Sequence, residues 1–260
     1  MSAPREAQRF HLQAAIRNLS LGVIIGILMV IALALIFVKL TDDVTDGPIA
    51  LDRTIALAVH STASPAETAI MLIITNFGNL YLLGLVVVSL IVGAIIIVRS
   101  RRGKEFGLPV AILDTIAPSV ALGGALGLAL IIKTLVGRMR PSIFPPIVHE
   151  SGFSFPSGHT ISALTFYGMC AFLLARPLHG WARWLVVLGA AIIIGAVAYS
   201  RVYLGVHYPT DVLGSFILGA AWLLTLILTL TTVEHHFAGL HQASQVGKAT
   251  GQEMNAAGGL

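Results

Sequence analysis

Three short stretches of the chain combine residues able to handle a phosphate group. The first runs Lys133-Thr-Leu-Val-Gly-Arg-Met-Arg140-Pro141, with six residues between its lysine and Arg140. The second is Pro156-Ser157-Gly158-His159. The third is Ser200-Arg201, followed after five residues by His207 and after three more by Asp211. Lysine offers a point charge, and arginine a planar fork that fits phosphate oxygens. Pro-Ser-Gly-His opens an apolar run, and a helix N-terminus there supplies unpaired N–H groups and a partial positive charge. Gly158 lets the backbone come close, and Ser157 adds a hydroxyl. Pro209 suits the start of a helix, which holds His207 just ahead of it and within reach of the Asp211 carboxylate. Lys133, Arg140, Arg201, His159, His207 and Asp211 together make a site for a phosphate bearing about two negative charges. One carboxylate is too few for Mg²⁺ or Ca²⁺. Two histidines and a carboxylate match a zinc donor set in kind, but three surrounding cations would repel the ion, so no metal is expected.

These stretches need a scaffold, and the composition says which kind. Of 260 residues, 56% are hydrophobic and 11% are charged, against about 25% charged in a typical soluble domain. That excludes a soluble globular domain and a disordered chain. The single cysteine, Cys170, excludes a disulfide scaffold. What remains is an all-α polytopic membrane protein, whose apolar residues fall in runs of about 20. Such runs lie at about Leu21–Leu40, Leu108–Ile132, Gly158–Ala175, Trp184–Tyr199 and Val212–Val233. A further uncharged run, Thr68–Val98, is 31 residues long; as one helix it would reach roughly 46 Å, too long for one straight span. The cluster Asn76-Phe77-Gly78-Asn79 divides it into an interfacial lead-in helix and a span from about Leu80. The expectation is therefore six transmembrane helices, since barrel strands would alternate over about 10 residues. Residues 1–20 form an N-terminal segment, 21–233 the membrane domain and 234–260 a loose tail. Histidines 235, 236 and 241 read as ordinary tail residues. The first run exceeds the roughly 7–15 residues of a signal-peptide core, so it reads as an uncleaved span. Gly123, Gly124 and Gly127 read as a close helix contact.

Loop charges orient the bundle. Arg5, Arg9 and Arg17, the run Arg99-Ser-Arg-Arg-Gly-Lys104, and Arg176 with Arg183 fall on one side, which the positive-inside rule makes cytoplasmic. The loop with Asp42, Asp43, Asp46 and Asp52 belongs outside, and both termini inside. The three phosphate-handling stretches then share the extracytoplasmic face. Cations there are not required by topology, and snorkelling alone does not account for histidines and an acid beside them. Formal net charge is only +4, so nucleic acid is not an expected partner. Arg138 reads as a headgroup anchor, and Tyr203 and Tyr208 as interfacial aromatics. His149 and Glu150 read equally as substrate contacts or solvated loop residues, and Asp114 as a structural hydrogen-bonder.

Lys-x6-Arg-Pro, Pro-Ser-Gly-His and Ser-Arg-x5-His-x3-Asp, complete and in this order, resemble the three-part signature of the type 2 phosphatidic acid phosphatase (PAP2) superfamily. The stretch from Leu51-Asp-Arg-Thr-Ile-Ala-Leu to Asn76-Phe-Gly also looks like bacterial members. The resemblance implies an integral-membrane enzyme of the cell membrane, acting without metal or cofactor on a lipid phosphate or pyrophosphate. It implies that His207 attacks phosphorus and becomes a phosphohistidine, with Asp211 holding its ring. His159 would protonate the leaving oxygen and then assist water. Lys133, Arg140, Arg201, Ser157 and the Gly158 amide would hold the non-bridging oxygens. Undecaprenyl pyrophosphate is weakly favoured over phosphatidic acid, phosphatidylglycerol phosphate and lipid A phosphates. A lipid phosphotransferase and a non-catalytic lipid-phosphate binder or transporter are the alternatives.

Overall fold

The computed structural model describes residues 3–45, 49–78, 88–93, 95 and 108–257, without the side chains of 3–20, 108–111 and 238–257. Its elements are α1 (Ala3–Thr45), α2 (Ala50–Ser61), α3 (Pro65–Thr75), α4 (Leu108–Val136), α5 (Gly158–Ala175), α6 (Gly180–Tyr203) and α7 (Pro209–Ala257). Residues 88–93 are also helical. The protein is all-helical over the described residues, and five of these helices are long and apolar enough to cross a membrane. The span expected from Leu80 and the basic run 99–104 lie largely outside the described residues.

Helix ends follow local chemistry. The α3 N-terminus is capped by Ser64, whose Oγ accepts from the Glu67 amide at 3.2 Å, with Pro65 in the first turn. The α3 helix ends at Asn76-Phe77-Gly78, where the polar cluster was expected to break the run. It meets α2 at a bend of 119°. Four spans are longer than their apolar runs. The α6 helix starts at Gly180 and α4 reaches Val136. The α1 helix begins at Ala3, within the N-terminal segment. The α7 helix continues over the segment expected to be loose, because Gln, Ala, Lys and Glu carry a helix beyond the end of hydropathy.

The core lies where α4, α5 and α7 meet. Ala117 and Ala121 of α4 pack on Met169 and Leu173 of α5, with Leu223 and Ile227 of α7 beside them. Of the three α4 glycines, Gly124 makes the close contact: a Cβ there would lie 2.2 Å from the Trp222 ring. Beside Gly123 and Gly127 there is open space. Trp222 Nε1 donates to the Ala121 carbonyl at 2.9 Å, so its polar edge is satisfied inside the bundle. The α1 helix lies along α7, stacking Phe37 on Phe155 at 5.6 Å between centroids. Val44 is buried beside them, while many other large side chains of α1, among them Leu28, Leu35 and Val38, are exposed, as expected of a helix facing lipid. At the end of the bundle where α4 and α6 finish and α5 and α7 begin, α2 and α3 pack against α6.

Candidate active site

All three motif stretches come together at that end. Lys133 stands in the last turn of α4, and its Nζ donates to the Phe153 carbonyl at 2.5 Å and the Ser154 carbonyl at 3.3 Å. The chain leaves α4 through Gly137, at φ +64°, a conformation that glycine adopts without strain. Arg140 is then held by backbone acceptors: Nε by Gly152 at 3.0 Å, Nη2 by Ser151 at 3.0 Å and Nη1 by Val206 at 2.9 Å. Buried Ser157 stands at the N-cap position of α5 without a side-chain capping hydrogen bond, and beside Gly158 a Cβ would meet nothing within 4 Å, so the backbone there is open to approach. His159 follows in the first turn. Arg201, in the last turn of α6, is 1% exposed. Its Nη1 donates to Thr75 Oγ1 at 2.5 Å and its Nη2 to Glu150.

His207 sits in the short connection between α6 and α7, 2% exposed. The chain turns there at Gly205, whose φ is +75° and where a Cβ would lie 2.7 Å from the Phe144 ring. His207 Nδ1 is 3.4 Å from Asp211 Oδ2, and Nε2 is 3.4 Å from Arg140 Nη1. The tautomer that suits both neighbours carries its proton on Nδ1 and leaves the Nε2 lone pair toward the cations. Burial pushes the His207 pKa down to about 4, and Arg201 and Lys133 add to the shift against the opposing pull of Asp211. The ring is therefore neutral at physiological pH, as a nitrogen nucleophile must be.

Asp211 is fully buried in the first turn of α7. Its Oδ1 accepts from Arg138 Nη1 at 2.5 Å, and its Oδ2 from Ser154 Oγ and, at 2.8 Å, from the Tyr208 amide. Arg138 is thus not a headgroup anchor. It lies inside the protein, over the Tyr208 ring at 4.3 Å, and its Nη2 pairs with Asp52 Oδ2 at 2.7 Å. Its guanidinium has two buried carboxylates to satisfy and no route to a headgroup. Tyr203 and Tyr208 are likewise buried rather than interfacial. The Tyr203 hydroxyl lies 2.9 Å from Thr68 Oγ1, tying α3 to α6.

Glu150 belongs to the site, not to a solvated loop. Its carboxylate meets the Arg201 fork, with Oε2 3.5 Å from Arg140 Nη2 and Oε1 4.0 Å from His159 Nε2. Burial alone would raise its pKa, but Arg201, His159 and Arg140 hold it below the ordinary carboxylate value. These are donors a phosphate would use. His149, in the same loop, is exposed. Among the described residues no group of three or more His, Cys, Asp or Glu is placed to hold a metal ion. Asp114 does serve structure: at the other end of the bundle it pairs with Arg176 Nη1 at 3.2 Å.

The sequence motifs thus locate the residues that the fold brings together at this end but miss Asp52, Thr75, Arg138 and Ser154, which contact them or each other. A faint signal existed for two of these. Arg138 shares a short loop with Arg140, and Ser154 stands three residues before Ser157.

Comparison with known proteins agrees with this geometry. The PAP2 superfamily profile matches residues 115–234, which contain all three motifs. Phosphatidylglycerophosphatase B of Bacillus subtilis (strain 168) is 46% identical over 91 residues, covering 34% of this chain and 44% of that protein. An undecaprenyl-diphosphatase of Sulfolobus acidocaldarius is 34% identical over 127 residues, covering 46% of this chain and 53% of that protein. The chain therefore spans about half the length of these two curated relatives. The crystal structure of a transmembrane PAP2-type phosphatidylglycerolphosphate phosphatase from Bacillus subtilis superposes with a TM-score of 0.63 at 32% identity, over 76% of this chain and 93% of that one. A chain that shares motifs, helical architecture and three-dimensional course with these phosphatases belongs to the PAP2 superfamily.

Proposed function

We propose that the protein is an integral-membrane phosphatase that hydrolyses a lipid phosphate or pyrophosphate through a phosphohistidine. The observation that carries this reading is the line Arg140–His207–Asp211, in which a buried neutral imidazole has a carboxylate behind it and cations in front. Lys133, Arg140 and Arg201 bind the non-bridging oxygens, with Ser157 and the Gly158 amide at the α5 N-terminus. Nε2 of His207 forms the bond to phosphorus as the bond to the lipid oxygen breaks. His159 gives that oxygen a proton. Asp211 steadies the positive ring, and His159 then takes a proton from the water that releases inorganic phosphate. Each requirement is met by positioning and charge, which is what phosphoryl transfer needs.

The basic loops support a site on the extracytoplasmic face of the cell membrane, with both termini inside. A lipid tail would reach it sideways between helices while the headgroup meets the cations. Within this class two substrates come first. Undecaprenyl pyrophosphate suits an outward-facing site, where a carrier lipid is released. Phosphatidylglycerol phosphate suits the likeness to the Bacillus subtilis protein.

The test is phosphate release by purified protein from a panel of both lipids, phosphatidic acid and a lipid A phosphate, in the presence of chelator. Release by the wild type and none by His207→Ala is the expected result. Equal release by the two proteins would remove His207 from the chemistry, and loss of wild-type activity in chelator would overturn the metal-free mechanism.

A further inference from the structure

Asp52 lies far from the motifs in sequence and outside residues 115–234, where the family profile matches. It is nevertheless fully buried at the site. Its Oδ1 accepts from the Thr210 amide at 2.9 Å and from Thr210 Oγ1 at 2.8 Å, and its Oδ2 pairs with Arg138 Nη2 at 2.7 Å. The other arm of the same guanidinium holds Asp211 Oδ1 at 2.5 Å and donates to Thr210 Oγ1 at 2.8 Å. The chain of contacts is therefore Asp52, Arg138, Asp211, His207, and it crosses from α2 through the post-α4 loop to α7.

We propose that Asp52 and Arg138 are positioning residues for the histidine: they set which Asp211 oxygen faces His207 and how much negative charge that oxygen presents. Two alternatives to this role fail on geometry. Arg138 is not a substrate clamp, because both its terminal nitrogens are engaged by buried carboxylates. Asp52 is not only a helix-start residue, because its carboxylate bonds across to α7 rather than to the amides of α2. With Oδ1 of Asp211 claimed by Arg138, it is Oδ2 that turns to Nδ1 of His207. A cation there also draws carboxylate charge away from the ring, and Asp52 offsets that cation. The two residues must then act on His207 in opposite directions. Other charged or titratable groups act on the ring: Lys133 from α4, Arg140 from the loop after it, His159 from α5 and Arg201 from α6. None of these is altered when α2 is.

The inference rests on the phosphatase reading only where turnover is measured, so the experiment has two readouts. The first is the pH titration of His207 by NMR of histidine-labelled protein in detergent, assigned by the signal missing in His207→Asn. Asp52→Asn, which keeps shape and removes charge, should move the titration down by roughly half a pH unit or more, and Arg138→Gln should move it up by a similar amount. The second is kinetics on the lipid that the panel selects. Both variants should lower kcat on the order of 10- to 100-fold with KM little changed. Should Arg138→Gln fail to fold, Arg138→Lys replaces it: it keeps the charge but loses the fork, so it should leave the titration near that of the wild type while kcat falls. Opposite NMR shifts of Asp52→Asn and Arg138→Gln, or with Arg138→Lys a downward shift of Asp52→Asn alone, establish the arrangement even if no lipid turns over. An unmoved titration in both variants, or shifts of the same sign, overturns it. So does a loss of kcat that only follows a lower melting temperature.

Discussion

Two arginines in this protein occupy closely similar surroundings at opposite ends of the bundle. Arg138 lies between Asp52 and Asp211 with its guanidinium over Tyr208 at 4.3 Å. Arg176 lies between Asp114 and Glu234 with its guanidinium over Phe172 at 4.1 Å. Each ties together helices distant in sequence, and each has more acid than base about it. Asp114 and Lys133 stand 19 positions apart along α4, about 28 Å of helix. The difference is what lies behind the second carboxylate. Asp211 continues to His207 and from there to Arg140. The Arg176 cluster closes the far end of the bundle, where it draws the C-terminus of α5 toward α4 and α7. In the proposed mechanism, a buried ion triad of this kind gains a part in catalysis through its connection to a titratable histidine.

The largest effect is expected from Arg138→Met. It leaves Asp52 and Asp211 buried without their cation, which should cost about 3–5 kcal/mol of stability and remove phosphate release. Melting in detergent and the release assay read the two consequences separately. Acid should come next. The His207 pKa of about 4 in the fold lies below its ordinary 6.5. As pH falls the unfolded chain therefore takes the proton first. This contribution to stability is intact above about pH 6.5 and is lost progressively toward pH 4, on the order of 2–3 kcal/mol. His207→Asn should flatten that part of the melting profile and Arg176→Met should not; equal flattening in both would contradict the division between the ends.

Arg176→Met should destabilise by about 2 kcal/mol, less than Arg138→Met because its side chain is 11% exposed against 2% for Arg138. The kcat of the folded fraction should stay within about twofold of wild type. A larger fall would mean that the two ends communicate. Ser154→Ala is the mildest change. It removes one of the donors to Asp211 Oδ2, for about 1 kcal/mol and a severalfold drop in kcat. A titration of His207 left in place by Ser154→Ala but moved by Arg138→Gln would show that charge, not hydrogen-bond count, is what passes to the ring.

How much of this was readable beforehand divides along the same lines. Gly158–Ala175 matches its apolar run residue for residue, because a proline-bearing turn precedes it and an arginine follows it. The ends of α6 and α7 did not, since hydropathy marks where a helix meets lipid and not where its hydrogen bonds cease. Lys133, Arg140, His159, Arg201, His207 and Asp211 were legible because each falls at a fixed spacing within one short segment. Asp52 was not. It stands in the same stretch as Asp42, Asp43 and Asp46, and only packing against Thr210, 158 positions away, tells it apart. Glu150 was ambiguous for the same reason, because its partners come from other elements. Arg138 was misread because an arginine at the end of a span usually reaches for headgroups, and nothing local announces that two buried acids are waiting for it.

The connection around Gly205 works as a ruler. Five residues separate Tyr203, which ends α6, from Pro209, which begins α7, and their path is pinned by Leu204 to Ser200, Val206 to Arg201 and Ile147 to Leu204. Arg201 sits before that turn and His207 inside it. Their separation is therefore set by covalent chain length rather than by the softer packing of two helices. Small shifts in helix packing should therefore leave the reach from Arg201 to His207 unchanged. A single inserted residue in this segment would do what such shifts cannot: detach one from the other.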